Sequence, residues 1–163
     1  NNGQDLSSYP VYPASYQLDN VITVASFNQS AAFSAFSNYN ADVVDIAAPG
    51  EEIISTLPDN DYGPSGGTSM AAAFVSAEAA LVRAANEELS SLQIKTNIIN
   101  GCDRLSSLIG KVNNHSKINC YNAVTAIDSS NSPRWLLIIV VLQDQISHMI
   151  QSTICIPFLS GKV

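Results

Sequence analysis

The sequence is short of charge, and of positive charge above all. Only 13% of its 163 residues are Asp, Glu, Lys or Arg, and 7 basic side chains stand against 14 acidic ones, for a net charge of −7. An average globular protein carries roughly twice that charged fraction. With no Lys/Arg cluster there is no counterion release to drive nucleic-acid binding, and an acidic chain is repelled by anionic headgroups. Nucleic acid is excluded as a partner and a membrane is not expected. Cysteine is scarce as well: Cys102, Cys120 and Cys155 form no CxxC knuckle, and His115 and His148 lack zinc-finger spacing from them, which excludes a structural zinc site. No apolar run reaches the about 20 residues of a bilayer-crossing helix; WLLIIVVL at 135–142 stops at Gln143. The opening NNGQDLSSYP has neither Met nor the basic and apolar regions of a leader, which implies that processing or truncation removed what came before.

What is present suits one folded domain, with 46% apolar residues for a core. Residues 1–19, dense in Asn, Ser, Tyr and Pro, read as loop. Short buried strands are predicted at 20–26 (NVITVAS) and 42–50 (DVVDIAAPG), and a third short strand at 53–57 (IISTL). Residues 58–67 (PDNDYGPSGG) read as a mobile, turning connection. From Thr68 the Ala-, Leu- and Glu-rich sequence predicts a long helix with a buried, small-residue first half. Ser90-Ser91 caps a second helix over 92–100, which Asn100-Gly101 closes through a left-handed C-cap, and a third helix spans 118–127. The domain is placed at 1–127. Residues 128–163 form a linker and an apolar tail unlike the domain before it.

The sharpest local feature is Gly66-Gly67-Thr68-Ser69-Met70-Ala71. Glycines permit close backbone approach, and the helix start places the Ser69 hydroxyl where unpaired N–H groups and aligned peptide dipoles favour a developing oxyanion. A plain N-cap is the competing reading.

Context separates the two. YPASYQLDNVITVAS, FSNYN, VDIAAPGEEIISTLP and GGTSMAAAFVS follow one another in an order that resembles the subtilisin-like serine proteases, from about Asn1 to Ile127. The resemblance implies an α/β fold with a mostly parallel sheet flanked by helices, of which this chain supplies the C-terminal part. It also implies a serine endopeptidase working by acyl transfer and hydrolysis, without an organic cofactor. Ser69 matches the family's nucleophile. NNGQD resembles the segment that begins with the oxyanion asparagine, which makes Asn1 its match; as a chain end, Asn1 is otherwise expected to fray. The family's catalytic Asp and His lie upstream of that asparagine, so this chain alone is expected to be nearly inert. His115, His148, Asp59 and Asp61 read as solvent-facing and not as substitutes. The implied partners are a peptide or protein substrate and the missing N-terminal half of the catalytic domain, without which residues 1–127 are not expected to form a stable monomer.

Further details follow from the same resemblance. Tyr12-Pro13 matches a pair whose peptide bond can be cis. Tyr16, Asp45 and the Ala14 carbonyl align near a cation-binding loop, which leaves a structural calcium open although Asp45 is a lone carboxylate. The sequence departs from the family pattern at Gly66, Ala73, Ala77 and Glu78, the last burying a carboxylate on an apolar helix face. Cys102 and Cys120 stand either as a disulfide or as two buried thiols. The sequons at Asn28 and Asn114, with the acidic composition, point to the secretory pathway or the extracellular space. Two other readings remain: a non-catalytic, degenerate subtilase module that binds peptides or a partner chain, and an apolar tail led by Trp135 that serves as an interfacial or partner-docking helix tethering the domain.

Overall fold

The structure, a computed structural model, describes residues 1–126. The expectations for the linker and tail, including Trp135, His148 and Cys155, lie outside the described residues. Two short parallel strands begin the sheet, β1 (Val24–Phe27) and β2 (Ile46–Pro49), with Val24 opposite Ile46 and Phe27 opposite Pro49. A separate antiparallel hairpin follows, made of β3 (Ile53–Leu57) and β4 (Asp61–Ser65). Then come α1 (Thr68–Ala85), α2 (Ser91–Gly101), β5 (Asp103–Arg104), β6 (Ser116–Lys117) and α3 (Cys120–Thr125). β6 pairs with β2 in parallel and β5 lies antiparallel to β6, so the sheet runs β1-β2-β6-β5. The fold is α/β with a mostly parallel sheet, as expected.

Strand alternation divides the core in two. Ile46 and Ala48 point to the helical side, where they join Ala71, Val75 and Val82 of α1, Ile98 of α2 and Ala123 of α3. Ala25 and Ala47 point the other way, onto Leu6, Val44, Leu108 and Val112 of the loops and turns. Residues 71, 75, 78, 82 and 85 are the buried ones of α1, and steps of four and three keep them on one stripe. Four of the five are apolar. The fifth is Glu78.

Several local expectations change. The first two strands are shorter than their apolar runs, because Asp45 turns away to accept the Thr23 backbone N–H, 2.8 Å, and Val44 turns back on Asn40. The connection 58–67 is not all loop: residues 61–65 pair with β3, and Pro64 is tolerated because a two-stranded ribbon leaves one edge unpaired. The long helix starts at Thr68 and ends at Ala85, short of 89. Ser90 caps α2 with a reciprocal Gln93 contact, as its position predicts. Gly101, however, is the last residue of α2 and not a left-handed cap; a Cβ there would lie 2.5 Å from the Ala123 backbone nitrogen. Glycine is needed there so that α2 and α3 can touch. α3 is shorter than predicted, capped by the Asn119 side chain on the Asn122 N–H, 3.0 Å.

Candidate active site

The parallel strands end where α1 begins. The carbonyl of Gly50, just past β2, accepts the Gly67 N–H at 2.7 Å, and a Cβ on Gly50 would meet Ser26 Oγ at 2.4 Å and the Gly67 carbonyl at 2.7 Å. Gly67 itself has φ +153°, a conformation side chains rarely adopt, and it turns the chain into the helix. Gly67 has no side chain to cap this helix start; the Thr68 N–H is taken by Asn1 and the Met70 and Ala71 N–H groups by the Gly67 carbonyl, which leaves the Ser69 N–H without a partner among the described residues. Ser69 is the second residue of α1 and is exposed, and its hydroxyl makes no hydrogen bond among the described residues. It is not the N-cap: Gly67 is.

Asn1 reaches the same spot from 67 residues away. Its Oδ1 accepts from the Thr68 backbone N–H and from Thr68 Oγ1, each at 2.9 Å. A backbone N–H can only donate, so the atom facing it is the oxygen, and Nδ2 is left to donate on the other side of the planar amide. That Nδ2 lies 3.5 Å from where a Gly67 Cβ would stand. Nor is the segment frayed. Asn38 Oδ1 accepts from Asn2 N and Gln4 N at 3.1 Å each, and Gly3 N donates to the Phe36 carbonyl at 2.8 Å. Thr68, Gly50 and Asn38 lie inside the motifs read from the sequence but were given no role there, because their partners are distant along the chain.

The other candidates stand apart from this cluster. Asp59 and Asp61 are exposed at the tip of the β3–β4 hairpin, where Asp61 Oδ1 accepts the Tyr62 N–H. His115 lies in the turn before β6, its N–H on the Val112 carbonyl. Among the described residues no acid or imidazole hydrogen-bonds Ser69. The Tyr12–Pro13 peptide is cis. The groups near the aligned cation-binding loop are engaged with one another: Asp45 Oδ2 takes the Thr23 N–H, Oδ1 faces the Lys95 ammonium at 3.3 Å, and the Ala14 carbonyl accepts from Thr23 Oγ1 at 2.7 Å. The described residues contain no cluster of three or more His, Cys, Asp or Glu able to hold a metal. Cys102 and Cys120 are free thiols, pushed up to about 11 by burial and by the charge of Glu78, which leaves them inert as nucleophiles at neutral pH. None of the described helices is long and apolar enough to cross a membrane.

Comparison with known proteins gives the family. The model described as "Subtilase family" matches residues 1–128. The chain is 40% identical to "Thermophilic serine proteinase" of Bacillus sp. (strain AK1), over 77% of this chain and 29% of that protein. With thermitase of Thermoactinomyces vulgaris it shares 41% identity, over 71% of this chain and 39% of the relative. With "Major intracellular serine protease" of Bacillus subtilis (strain 168) the figures are 44%, 53% and 26%. Among solved structures, that of the subtilase cytotoxin SubAB assembly superposes with a TM-score of 0.70 at 27% identity, over 77% of this chain and 46% of that one. The chain thus spans less than half the length of each of these relatives. Matched from its first residue through the Ser69 helix to the end of the described fold, the chain belongs to the subtilase family.

Proposed function

We propose that this chain is the nucleophile-bearing part of a subtilase serine endopeptidase. Ser69 Oγ attacks the scissile carbonyl carbon and gives up its proton to a histidine that, with its aspartate, comes from chain upstream of these residues. The negative charge that develops on the carbonyl oxygen is held by Asn1 Nδ2 and the Ser69 backbone N–H at the positive end of α1. The histidine returns the proton to the departing amine, and water hydrolyses the acyl-serine. In subtilisin, removing one oxyanion donor lowers kcat by about 10²–10³, which sets the scale for Asn1. The observation that carries the reading is the pair of hydrogen bonds from Thr68 to Asn1. They aim the amide towards the helix end where the serine emerges.

The test is hydrolysis of a peptide substrate by this chain joined to the Asp- and His-bearing upstream part of a subtilase. Cleavage that vanishes with Ser69→Ala supports the reading. Equal cleavage with Ser69→Ala contradicts it.

The second reading, a peptide- or partner-binding module without catalysis, draws on Glu78, a carboxylate in the middle of the nucleophile's own helix with no donor. Peptide binding without turnover in the joined protein would favour it. The extracellular placement rests on the sequons, of which Asn114 is exposed. One relative is named intracellular, so the family does not fix the compartment. A mobility shift of the natural protein on endoglycosidase treatment would support the secretory route.

A further inference from the structure

Glu78 faces inward from the middle of α1, fully buried, and neither carboxylate oxygen has a hydrogen-bond partner. A buried carboxylate with no donor and no countercharge is among the costliest groups a core can hold. Its neighbours bring no relief. Cys102, at the end of α2, and Cys120, at the start of α3, both feel its charge and both remain neutral thiols. β1 and β2, on which α1 also packs, carry no titratable side chain. The cations of the neighbouring elements are engaged elsewhere: Lys95 of α2 with Asp45 at 3.3 Å, Lys117 of β6 with Asp103 at 2.9 Å, and Arg104 of β5 with the Asn114 carbonyl at 2.6 Å and Ser116 Oγ at 2.8 Å. The Asn119 backbone N–H, just before α3, favours the anion, but burial outweighs it. Nor does the corner have slack, because Gly101 already lets α2 touch α3 backbone to backbone.

A neutral carboxyl removes most of this cost, and ionisation restores it. We propose that Glu78 is a proton-operated latch: protonated, it lets α3 and the end of α2 close on α1; ionised, it pushes them open, so that the corner behind the Ser69 helix loosens as the surroundings turn alkaline. Burial pushes its carboxyl up to about 7, against an ordinary 4.5, which places the transition around neutrality. The folded value lies above the unfolded one, so the stabilisation is whole below the ordinary carboxylate range and is lost as pH rises through about 7. The latch does not depend on the protease reading, since it concerns packing and not chemistry at Ser69.

Amide hydrogen exchange of α3 and the last turn of α2 tests it in this chain joined to the upstream part of the domain, at pH 5 and pH 8, corrected for the intrinsic pH dependence of exchange. Protection is expected to fall on the order of a hundredfold between the two. Glu78→Gln, neutral at both pH values, is expected to abolish the difference, which also separates Glu78 from His115 in the turn before β6. The carboxyl-carbon chemical shift of Glu78, titrating around neutrality, needs no variant. Equal protection at the two pH values, folded or not, overturns the proposal. So does a difference that survives Glu78→Gln, or a Glu78 carboxyl that titrates in the range of exposed glutamates.

Discussion

Two polar side chains on one helix meet opposite surroundings. Ser69, in the first turn of α1, is exposed, its hydroxyl is free of partners among the described residues, and its own N–H is the donor of the helix start left unpaired there. Glu78, further along the same helix, is fully buried and equally without partners. An unpaired polar group is chemically available at the surface and energetically costly inside. For Ser69 the lack of a partner is a readiness for substrate, supported by glycine turns and by Asn1. For Glu78 it is a penalty that a proton relieves. The positive end of α1 is also local: its field falls off within the first turn and offers Glu78 nothing.

The largest expected effect lies at the exposed end. Ser69→Ala in the joined protein should abolish peptide hydrolysis, a loss on the order of the 10⁶-fold known for removal of subtilisin's nucleophile, while the stability of the joined protein changes by less than about 0.5 kcal/mol. Asn1→Ala should lower kcat about 10²–10³-fold with KM little changed, as expected of a donor used only in the transition state. Steady-state kinetics checks both, and an Asn1→Ala change confined to KM would break the comparison by making Asn1 a binding residue.

At the buried end the effects are on stability. Glu78→Leu should raise the stability of the joined protein at pH 8 by on the order of 3 kcal/mol and leave it nearly unchanged at pH 4, the size following from a carboxyl lifted from 4.5 to about 7. Denaturant melts at the two pH values check this. Gly101→Ala should cost about 1–3 kcal/mol at either pH, since its methyl would fall 2.5 Å from the Ala123 backbone nitrogen. An unaffected Gly101→Ala would mean that the corner around Glu78 has room to relax, and the latch would weaken with it.

How much of this was legible in the sequence depends on how local its causes are. The Ser69 turn was readable because glycine, hydroxyl and helix start are contiguous, and Ser90 with Gln93 because a capping box spans one turn. Glu78 was readable as a charge on an apolar stripe. The strand ends were not, because they are set by the Thr23–Asp45 hydrogen bond across 22 residues. β4 was hidden by its Pro and Gly, which a two-stranded ribbon accepts and a central strand would not. Gly101 misled because glycine serves two purposes, left-handed caps and close approach, and only the position of Ala123 distinguishes them. Thr68 escaped notice for the same non-local reason: its partner is the first residue of the chain.

The most direct measurement is covalent capture by a fluorophosphonate probe of this chain joined to the upstream Asp- and His-bearing part, with the modified residue located by peptide mass spectrometry. The account predicts one adduct, on Ser69, lost in Ser69→Ala and slowed in Asn1→Ala. An adduct on another hydroxyl, or a properly folded joined protein that takes up no probe at all, would contradict it.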